Sequence, residues 1–423
     1  MITLYIILLF AVLFLLRVPV SFALAVATII FLPQVGYHFD SAPVQIFNAL
    51  NSVSLMAVPG FVFAGIILAR GGISKNLIEC LRNWIGHISG GMAIVTILAC
   101  AIFSAISGSS PATAAAIGSI MIPGMIQAGY SKKYAMGLVA TAGTLGILIP
   151  PSVSLIIFGY VAERQASIGN LFIAGILPGI LLTVILIISA ILYAKKNKFG
   201  MLPKASWEER WSSTVKALPG ALLPILILGS IYLGIVTPTE SAVLAAAYAI
   251  VVSIFVYKEL KLKDWRPILR QTVNVTSMIF MVIAAATLFK QYLTLSQVPQ
   301  QVVQWMSEAD LNKFVFLILI NLLFFIMGAF LESISIILIT LPIILPLLPT
   351  LGINVYHFAI IMTVNMEIAM ITPPVGLNLF VVSGVAKEPL MKVISAVIPF
   401  LLIMLIQLAI IIIWPDLSLF LLD

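Results

Sequence analysis

Two double prolines, each inside an apolar segment, are the residues in this sequence best placed to do chemistry. The first segment reads TAGTLGILIPPSVS (Thr141–Ser154) and the second reads NMEIAMITPPVGLN (Asn365–Asn378). Proline removes an amide donor and blocks the carbonyl of the preceding turn, and glycine tolerates an open backbone. The freed carbonyl oxygens are suited to a hard cation such as sodium, and the amino ends of the half-helices would attract an anionic group.

A short polar stretch precedes each break and divides a longer apolar region. SGSSPAT (Ser107–Thr113) lies within residues 92–128, and GAFLES (Gly328–Ser333) lies within residues 314–349. Each region is long enough for two ordinary membrane spans or for a re-entrant hairpin with its tip at mid-membrane, and hydropathy does not separate these alternatives. We favour hairpins because the first tip lacks the strongly polar loop expected at an aqueous surface and Pro111 would begin a helix.

Each tip and the break that follows it together predict a sodium site, next to a site for an anionic substrate group. The expected sodium ligands are Ser107, Gly108, Ser109, Gly143, Thr144 and Gly146 for the first half, and Gly328, Glu332, Ser333, Asn365, Glu367, Thr372 and Gly376 for the second. The expected substrate contacts are Ser107, Ser109, Ser110, Thr113, Pro150, Pro151, Pro373 and Asn378. The alternative is a pair of kinked packing helices. The duplication of tip and break favours a transport site.

Glu332 and Glu367 are acids within apolar sequence, which in a membrane protein indicates a functional role by default. A structural hydrogen bond to a neighbouring serine or to a broken helix end is the open alternative to a ligand role. Asn365 and Asn378 flank the second break, where they would either supply carbonyl oxygens or satisfy freed backbone groups.

The second half of the sequence repeats the prolines and glycines that interrupt helices in the first half, at a spacing of 223 residues. The matching residues are Pro123 with Pro346, Gly129 with Gly352, Pro150-Pro151 with Pro373-Pro374 and, at a spacing of 219, Pro19 with Pro238. An internal repeat with an interrupted apolar segment in each half is typical of secondary transporters.

The repeat predicts a division of the chain into two similar halves. These are residues 1–193 (hairpin 92–128, broken helix 134–162), a cytoplasmic linker 194–216, and residues 217–423 (hairpin 314–349, broken helix 357–386). Predicted crossings lie at 2–16, 18–32, 53–70, 134–162, 171–193, 217–236, 240–257, 271–295, 357–386 and 393–414. Five crossings in each half would place the second repeat upside down relative to the first.

Composition agrees with a polytopic membrane protein. The mean hydropathy is +1.20, with 62% hydrophobic and 9% charged residues. Because the apolar runs are continuous, we expect an all-helical fold. The basic residues concentrate at alternate loops, which indicates a cytoplasmic linker and places both termini on the other side of the membrane.

Several other function classes are disfavoured. The net charge of +7 follows the loop pattern and does not indicate nucleic-acid binding. The three histidines and two cysteines form no metal, redox or nucleophilic set, so we expect no enzyme activity. A channel would present filter residues from symmetric subunits, whereas paired breaks in a repeat favour a carrier.

Five motifs carry a resemblance that covers essentially the whole chain. They are GFVFAGIILARGGI (Gly60–Ile73), ISGSSPATAAAIGSIMIPGM (Ile106–Met125), LGILIPPS (Leu145–Ser152), GIVTPTESA (Gly234–Ala242) and ITPPVGLNLFVVSG (Ile371–Gly384). With these motifs the sequence resembles the large membrane subunit of tripartite ATP-independent periplasmic (TRAP) transporters.

The resemblance implies an elevator-type carrier that uses a sodium gradient, with two or more coupling ions, to import an organic acid. It places the chain in a bacterial inner membrane, where the predicted sidedness would make both termini periplasmic. It also implies two partners, a small four-helix membrane subunit, which we expect as a separate chain, and a soluble periplasmic substrate-binding protein. Overall similarity favours sialic acid as substrate, with a C4-dicarboxylate second. An aspartate is common in the family at the position of Glu332. A stand-alone sodium/divalent-anion symporter is the alternative function.

Overall fold

The computed structural model describes residues 2–197, 202–308 and 312–422. Within these ranges all regular secondary structure is helical and no strand is present, which confirms the all-helical prediction. Residues 198–201, part of the predicted linker, lie outside the described residues.

Ten α-helices are described before the linker. They are α1 (Ile2–Leu15), α2 (Val20–Phe31), α3 (Ala42–Leu50), α4 (Ala57–Arg70), α5 (Ile73–Ile85), α6 (Gly91–Ser107), α7 (Ser110–Gln127), α8 (Lys132–Ala142), α9 (Val153–Ala162) and α10 (Ile168–Asn197). Those described after it are α11 (Trp207–Tyr232), α12 (Pro238–Val251), α13 (Leu262–Leu295), α14 (Val298–Glu308), α15 (Lys313–Gly328), α16 (Ser333–Ile344), α17 (Leu347–Thr350), α18 (Val355–Met370), α19 (Leu377–Ala386), α20 (Leu390–Ile413) and α21 (Asp416–Leu419).

Six described helical segments are long and apolar enough to cross a membrane. They are Val53–Arg70, Ile168–Asn197, Trp207–Tyr232, Pro238–Val256, Leu262–Leu295 and Leu390–Ile413, and each overlaps a predicted crossing. The other four predicted crossings are short or interrupted helices. The spans predicted at 2–16 and 18–32 are α1 and α2, of 14 and 12 residues. Both are shorter than the roughly 20 residues of a perpendicular span.

Besides the four-residue helix α21, three described helices were missed because hydropathy detects spans and overlooks amphipathic segments. These are α3, α5 and α14. In α5 the buried residues Ile73, Ser74, Leu77 and Ile78 recur at helical spacing, and the helix packs against α6 and α11. Its charged residues Lys75, Glu79 and Arg82 interrupt the apolar sequence, so no window reaches the hydropathy of a span.

The predicted linker 194–216 is helical at both of its described ends. Helix α10 continues to Asn197, and α11 begins at Trp207 behind a capping box made by Ser206 and Glu209. The Arg210 guanidinium lies 5.5 Å from the ring centroids of both Trp84 and Trp207. This cation–π stacking joins the start of α11 to α5.

Each predicted hairpin is a pair of helices with a break at its tip. Helix α6 ends at Ser107, Gly108 takes a left-handed φ of 59°, Ser109 is extended, and α7 begins with Pro111 in its first turn. The left-handed residue reverses the chain direction at little cost because glycine has no Cβ. In the second half α15 ends at Gly328 and α16 begins after the extended Glu332.

Both predicted broken helices are interrupted at the double prolines. In the first, α8 continues into a 3₁₀ segment, Gly143–Ile147, and α9 begins after Ser152, whose side chain accepts a hydrogen bond from the Leu155 amide. In the second, α18 ends at Met370 and α19 begins after Gly376. The interruption therefore creates a new helix amino end in each half, at Val153 and at Leu377.

The two halves exchange packing contacts, because the hairpin of each half packs against the broken helix of the other half. Helix α7 of the first hairpin packs against α19 of the second broken helix, and α16 of the second hairpin packs against α9 of the first. In the same way α2 packs against α13 and α4 packs against α12. Each half therefore completes its packing only with helices of the other.

Candidate functional site

The first hairpin tip satisfies its own hydroxyl groups. The Thr113 hydroxyl donates to the Ser109 carbonyl oxygen at 3.0 Å, and the Ser107 Oγ lies 2.9 Å from Thr113 Oγ1. Both side chains are buried. A buried hydroxyl without a partner costs free energy, so these bonds stabilise the turn at Gly108 and fix the direction of the Ser109 carbonyl group.

The same tip contacts the first broken segment closely. A Cβ at Gly146 would lie 2.6 Å from the carbonyl carbon and oxygen of Ser109. The Gly108 carbonyl oxygen accepts a hydrogen bond of 3.4 Å from the Val153 amide at the start of α9. Tip and break are therefore in direct contact, as the prediction of a joint site requires.

The second tip contacts the second broken helix in a similar way. The Val375 amide donates to the Ala329 carbonyl oxygen at 3.0 Å, and Gly328 packs against Ala369 of α18. Glu332 stands at the amino end of α16, where its Oε1 accepts a hydrogen bond of 3.5 Å from the Ser335 hydroxyl. A carboxylate at a helix amino end is stabilised by the helix dipole.

Polar side chains also join each tip to the broken helix of the other half. The Asn378 amide donates to the Ser110 Oγ at 2.8 Å and to the Ala140 carbonyl oxygen at 2.9 Å. Across the molecule, Ser154 Oγ and Ser333 Oγ lie 3.3 Å apart. We call the Ser110–Asn378 contact the first junction and the Ser154–Ser333 contact the second. The first junction has more hydrogen bonds than the second.

A cavity of about 410 Å³ lies between the two tips. Four helices begin at its wall: α7 at Ser110, α9 at Val153, α16 at Ser333 and α19 at Leu377. Among the described residues that line it, Glu332 carries the only formal charge, and none is a lysine, arginine or histidine. Helix amino ends are sites for anions, so the wall combines four positive helix ends with one carboxylate.

The structure brings some of the predicted site residues together at this cavity and leaves others away from its wall. Lining it are Ser107, Gly108, Ser109, Ser110, Glu332 and Ser333. Gly328, Glu332, Ser333 and Gly376 line a neighbouring cavity of about 320 Å³ on the other side of the second tip. The predicted residues that line neither are Thr113, Gly143, Thr144, Gly146, Pro150, Pro151, Asn365, Glu367, Thr372, Pro373 and Asn378.

Asn365 and Glu367 lie on opposite sides of α18. The Asn365 amide donates to Asn321 Oδ1 on α15 and to the Ile361 carbonyl oxygen. The Glu367 carboxyl lies beside the Thr144 hydroxyl of the first broken helix. Residues two apart in a helix point about 200° apart, so these two side chains belong to different environments.

Sequence reasoning missed Gln271 and Ser154, which line the cavity, and Asn321, which supports Asn365. Gln271 lies on α13, outside both the tips and the breaks. Ser154 was inside the first double-proline segment, and its place just after a new helix amino end was the available signal. Asn321 was detectable as an amide within an apolar hairpin arm.

Comparisons with known proteins agree with this architecture. The family model described as "Tripartite ATP-independent periplasmic transporter, DctM component" matches residues 7–417. The chain is 44% identical to a C4-dicarboxylate TRAP transporter large permease protein of Pseudomonas aeruginosa, over 90% of this chain and 88% of that one. It is 35% identical to a sialic acid TRAP transporter large permease protein of Vibrio cholerae, over 95% and 94%.

Among solved structures, the YdaH transporter of Alcanivorax borkumensis superposes with a TM-score of 0.65 at 17% identity, covering 89% of this chain and 88% of that one. This likeness shows a shared fold. The family match covers almost the whole sequence and is a family of multi-pass membrane permeases for organic solutes, not of enzymes. The chain therefore belongs to the large permease subunits of the tripartite ATP-independent periplasmic transporters.

Proposed function

We propose that this chain imports an organic acid by sodium-driven secondary transport and that its substrate is a C4-dicarboxylate. The cavity between the tips carries the proposal. Each helix amino end at its wall is equivalent to roughly half a positive elementary charge, which favours carboxylate groups. Glu332 in the same wall repels an anion. Sodium ions bound near Glu332 would offset that repulsion, so substrate binding would depend on sodium.

The choice of a C4-dicarboxylate is supported by similarity. Identity is higher to the C4-dicarboxylate permease of Pseudomonas aeruginosa than to the sialic acid permease of Vibrio cholerae, 44% against 35%. The sequence-based preference for a sialic acid stays a prediction, and it now ranks second. A cavity without basic side chains would bind carboxylates through backbone amides, which suits small dianions placed between opposed helix ends.

We also propose that the two halves are inverted repeats of an elevator-type carrier in a bacterial inner membrane, with both termini periplasmic. The exchanged packing of α7 with α19 and of α16 with α9 supports a repeat. Membership of a tripartite system implies a small membrane subunit and a periplasmic binding protein as partners. The binding protein would deliver the substrate to the side of the membrane on which α9 ends.

Uptake into proteoliposomes tests the proposal. The chain is reconstituted with its small subunit, the binding protein is added outside, and radiolabelled succinate is supplied under an inward sodium gradient. We expect uptake that stops when choline replaces sodium, when either partner is omitted, or when unlabelled fumarate competes. Unlabelled sialic acid should compete weakly.

Three outcomes would contradict parts of the proposal. Uptake that persists without a sodium gradient would reject sodium coupling. Strong uptake by this chain alone would reject partner dependence and favour a stand-alone sodium/divalent-anion symporter. Strong competition by sialic acid and none by fumarate would reverse the order of substrates.

A further inference from the structure

Glu367 is a fully buried carboxyl that lines neither of the two cavities beside the hairpin tips. It is 0% exposed and lies in the last turn of α18 (Val355–Met370). Among the described residues neither of its carboxyl oxygens has a hydrogen-bond partner. An unpaired buried carboxylate is strongly unfavourable, so its charge has to be removed by a proton or balanced by a bound cation.

A polar neighbour of Glu367 is Thr144, in the 3₁₀ segment Gly143–Ile147 that packs against α18. The Thr144 hydroxyl donates to the Thr141 carbonyl oxygen at 2.7 Å. Because a hydroxyl has one hydrogen, the lone pairs of Thr144 are left to face the carboxyl. When Glu367 is ionised, two groups that only accept hydrogen bonds therefore lie side by side in an apolar interior. Such an arrangement is stable when a cation lies between them.

We infer that Glu367 and Thr144 bind a further sodium ion, buried between the two broken helices and separate from the hairpin tips. Carboxylate, hydroxyl and backbone carbonyl oxygens are the ligands that hard cations take. Carbonyl groups of the 3₁₀ segment would complete the shell. Asn365 does not take part, because its side chain points towards Asn321 on the opposite side of α18.

The inference rests on the proposed sodium coupling, and it adds a sodium site that lies away from the hairpin tips. Residues 144 and 367 are equivalent in the 223-residue repeat, so the ion would lie where the two halves of the repeat meet. A cation there would tie the first break to the second, and its binding would favour the arrangement in which the two tips form one cavity.

Equilibrium binding of radioactive sodium to the full-length chain in nanodiscs tests this directly, without substrate or partners. The variants are Glu367→Gln, which keeps the shape and removes the charge, and Thr144→Val, which removes one oxygen. We expect Glu367→Gln to bind one sodium ion fewer than the wild type. Thr144→Val should keep the number of ions and weaken the affinity of one of them about tenfold, the lower end of losses seen when metal-site partners are removed.

Glu259→Gln is the matched control, because Glu259 is an exposed acid in the connection between α12 and α13. Sodium binding by this variant should equal that of the wild type. Glu367→Gln with unchanged sodium number and affinity would overturn the inference and show that the carboxyl is neutral without an ion. Should Glu367→Gln not fold, unchanged sodium affinity in Thr144→Val would overturn it equally. A wild type that binds no sodium would instead reject the proposed coupling itself.

Discussion

Both hairpin tips pack closely against a broken helix, but the glycine that allows the close approach lies on a different element in each half. In the first half the glycine is on the broken helix, where Gly146 contacts the backbone of Ser109. In the second half the glycine is on the hairpin, where Gly328 contacts Ala369. Gly146 and Ala369 are equivalent at the 223-residue spacing. The close approach of tip and break is therefore common to both halves, whereas the glycine that makes room for it lies on the broken helix in one half and on the hairpin in the other.

The tips differ in charge as well. Ser109 and Glu332 are equivalent in the repeat, yet the first is neutral and the second is an acid. The hydroxyls of the first tip are satisfied by Thr113 and by the tip backbone, while Glu332 has one long hydrogen bond from Ser335. We therefore expect the first tip to be the more rigid of the two and the second to respond more strongly to cations.

The largest effect should come from adding a methyl group at either close contact. A Cβ at Gly146 or Gly328 would meet neighbouring atoms at 2.6 Å and 2.3 Å, so Gly146→Ala and Gly328→Ala should each destabilise the protein by about 1–3 kcal/mol and abolish most uptake. Thermal unfolding in detergent and proteoliposome uptake measure both effects. Gly384→Ala is the control, since nothing lies within 4 Å of a Cβ at that position.

The double variant Gly328→Ala with Ala369→Gly tests whether the two contacts are interchangeable, because it moves the glycine of the second half from the hairpin to the broken helix, as in the first half. It should recover much of the stability lost in Gly328→Ala, less about 1 kcal/mol for a glycine inside α18. A double variant as unstable as Gly328→Ala would show that the two contacts are not interchangeable.

The next effect concerns the charge difference between the tips. Glu332→Gln should raise the sodium concentration needed for half-maximal uptake by tenfold or more, on the order of 1.4 kcal/mol. Ser109→Ala should change it less, because Ser109 contributes its backbone carbonyl to the tip and not its hydroxyl to a described hydrogen bond. Equal sodium dependence in the two variants would remove the proposed asymmetry.

A smaller effect should separate the two junctions between the halves. Asn378→Ala breaks the hydrogen bonds to Ser110 and Ala140 and leaves buried partners unpaired, at a cost of about 1–3 kcal/mol. Ser154→Ala removes one hydroxyl contact with Ser333, for about 1 kcal/mol. Chemical unfolding followed by tryptophan fluorescence compares them, and a larger loss in Ser154→Ala would contradict the ranking.

The smallest effect is electrostatic and lies outside the membrane, where Glu388 pairs with Lys132 and Lys392 at 2.8 Å each. Hydrogen bonds from these lysines lower the pKa of Glu388 from 4.5 to about 2. Since the pKa is lowered on folding, the stabilisation is complete above pH 4.5 and is lost as the pH falls through about 2. Melting curves of wild type and Glu388→Gln should therefore differ slightly at pH 7, draw together below pH 4.5 and converge as the pH falls through about 2. A difference that grows on acidification would contradict this.

The breaks and tips were predictable because proline and glycine act locally. The double prolines at 150–151 and 373–374 interrupt helices wherever they fall, and the tip at Gly108 needs a residue that tolerates a left-handed φ. Long apolar helices such as α10 and α20 were also predictable from hydropathy alone. These features depend on neighbouring residues, so one sequence suffices to detect them.

The contacts that complete the site were not predictable in the same way. The junction of Ser110 with Asn378 joins residues 268 positions apart, and no local pattern marks such a pair. The position of Glu367 beside Thr144 was likewise unforeseen, although both were expected to be sodium ligands. Their equivalence in the repeat was the available signal, because equivalent positions can meet at the axis that relates two halves.

The exchanged packing of the halves has a consequence for biosynthesis. A nascent chain that has inserted only through α10 has its first hairpin and first broken helix in the membrane, but it lacks Asn378, the partner of Ser110. Domains fold as units as they are synthesised, and here no unit is complete until α19 has emerged. The first half must therefore wait in the membrane with its polar tip uncovered while about half of the protein is still being made.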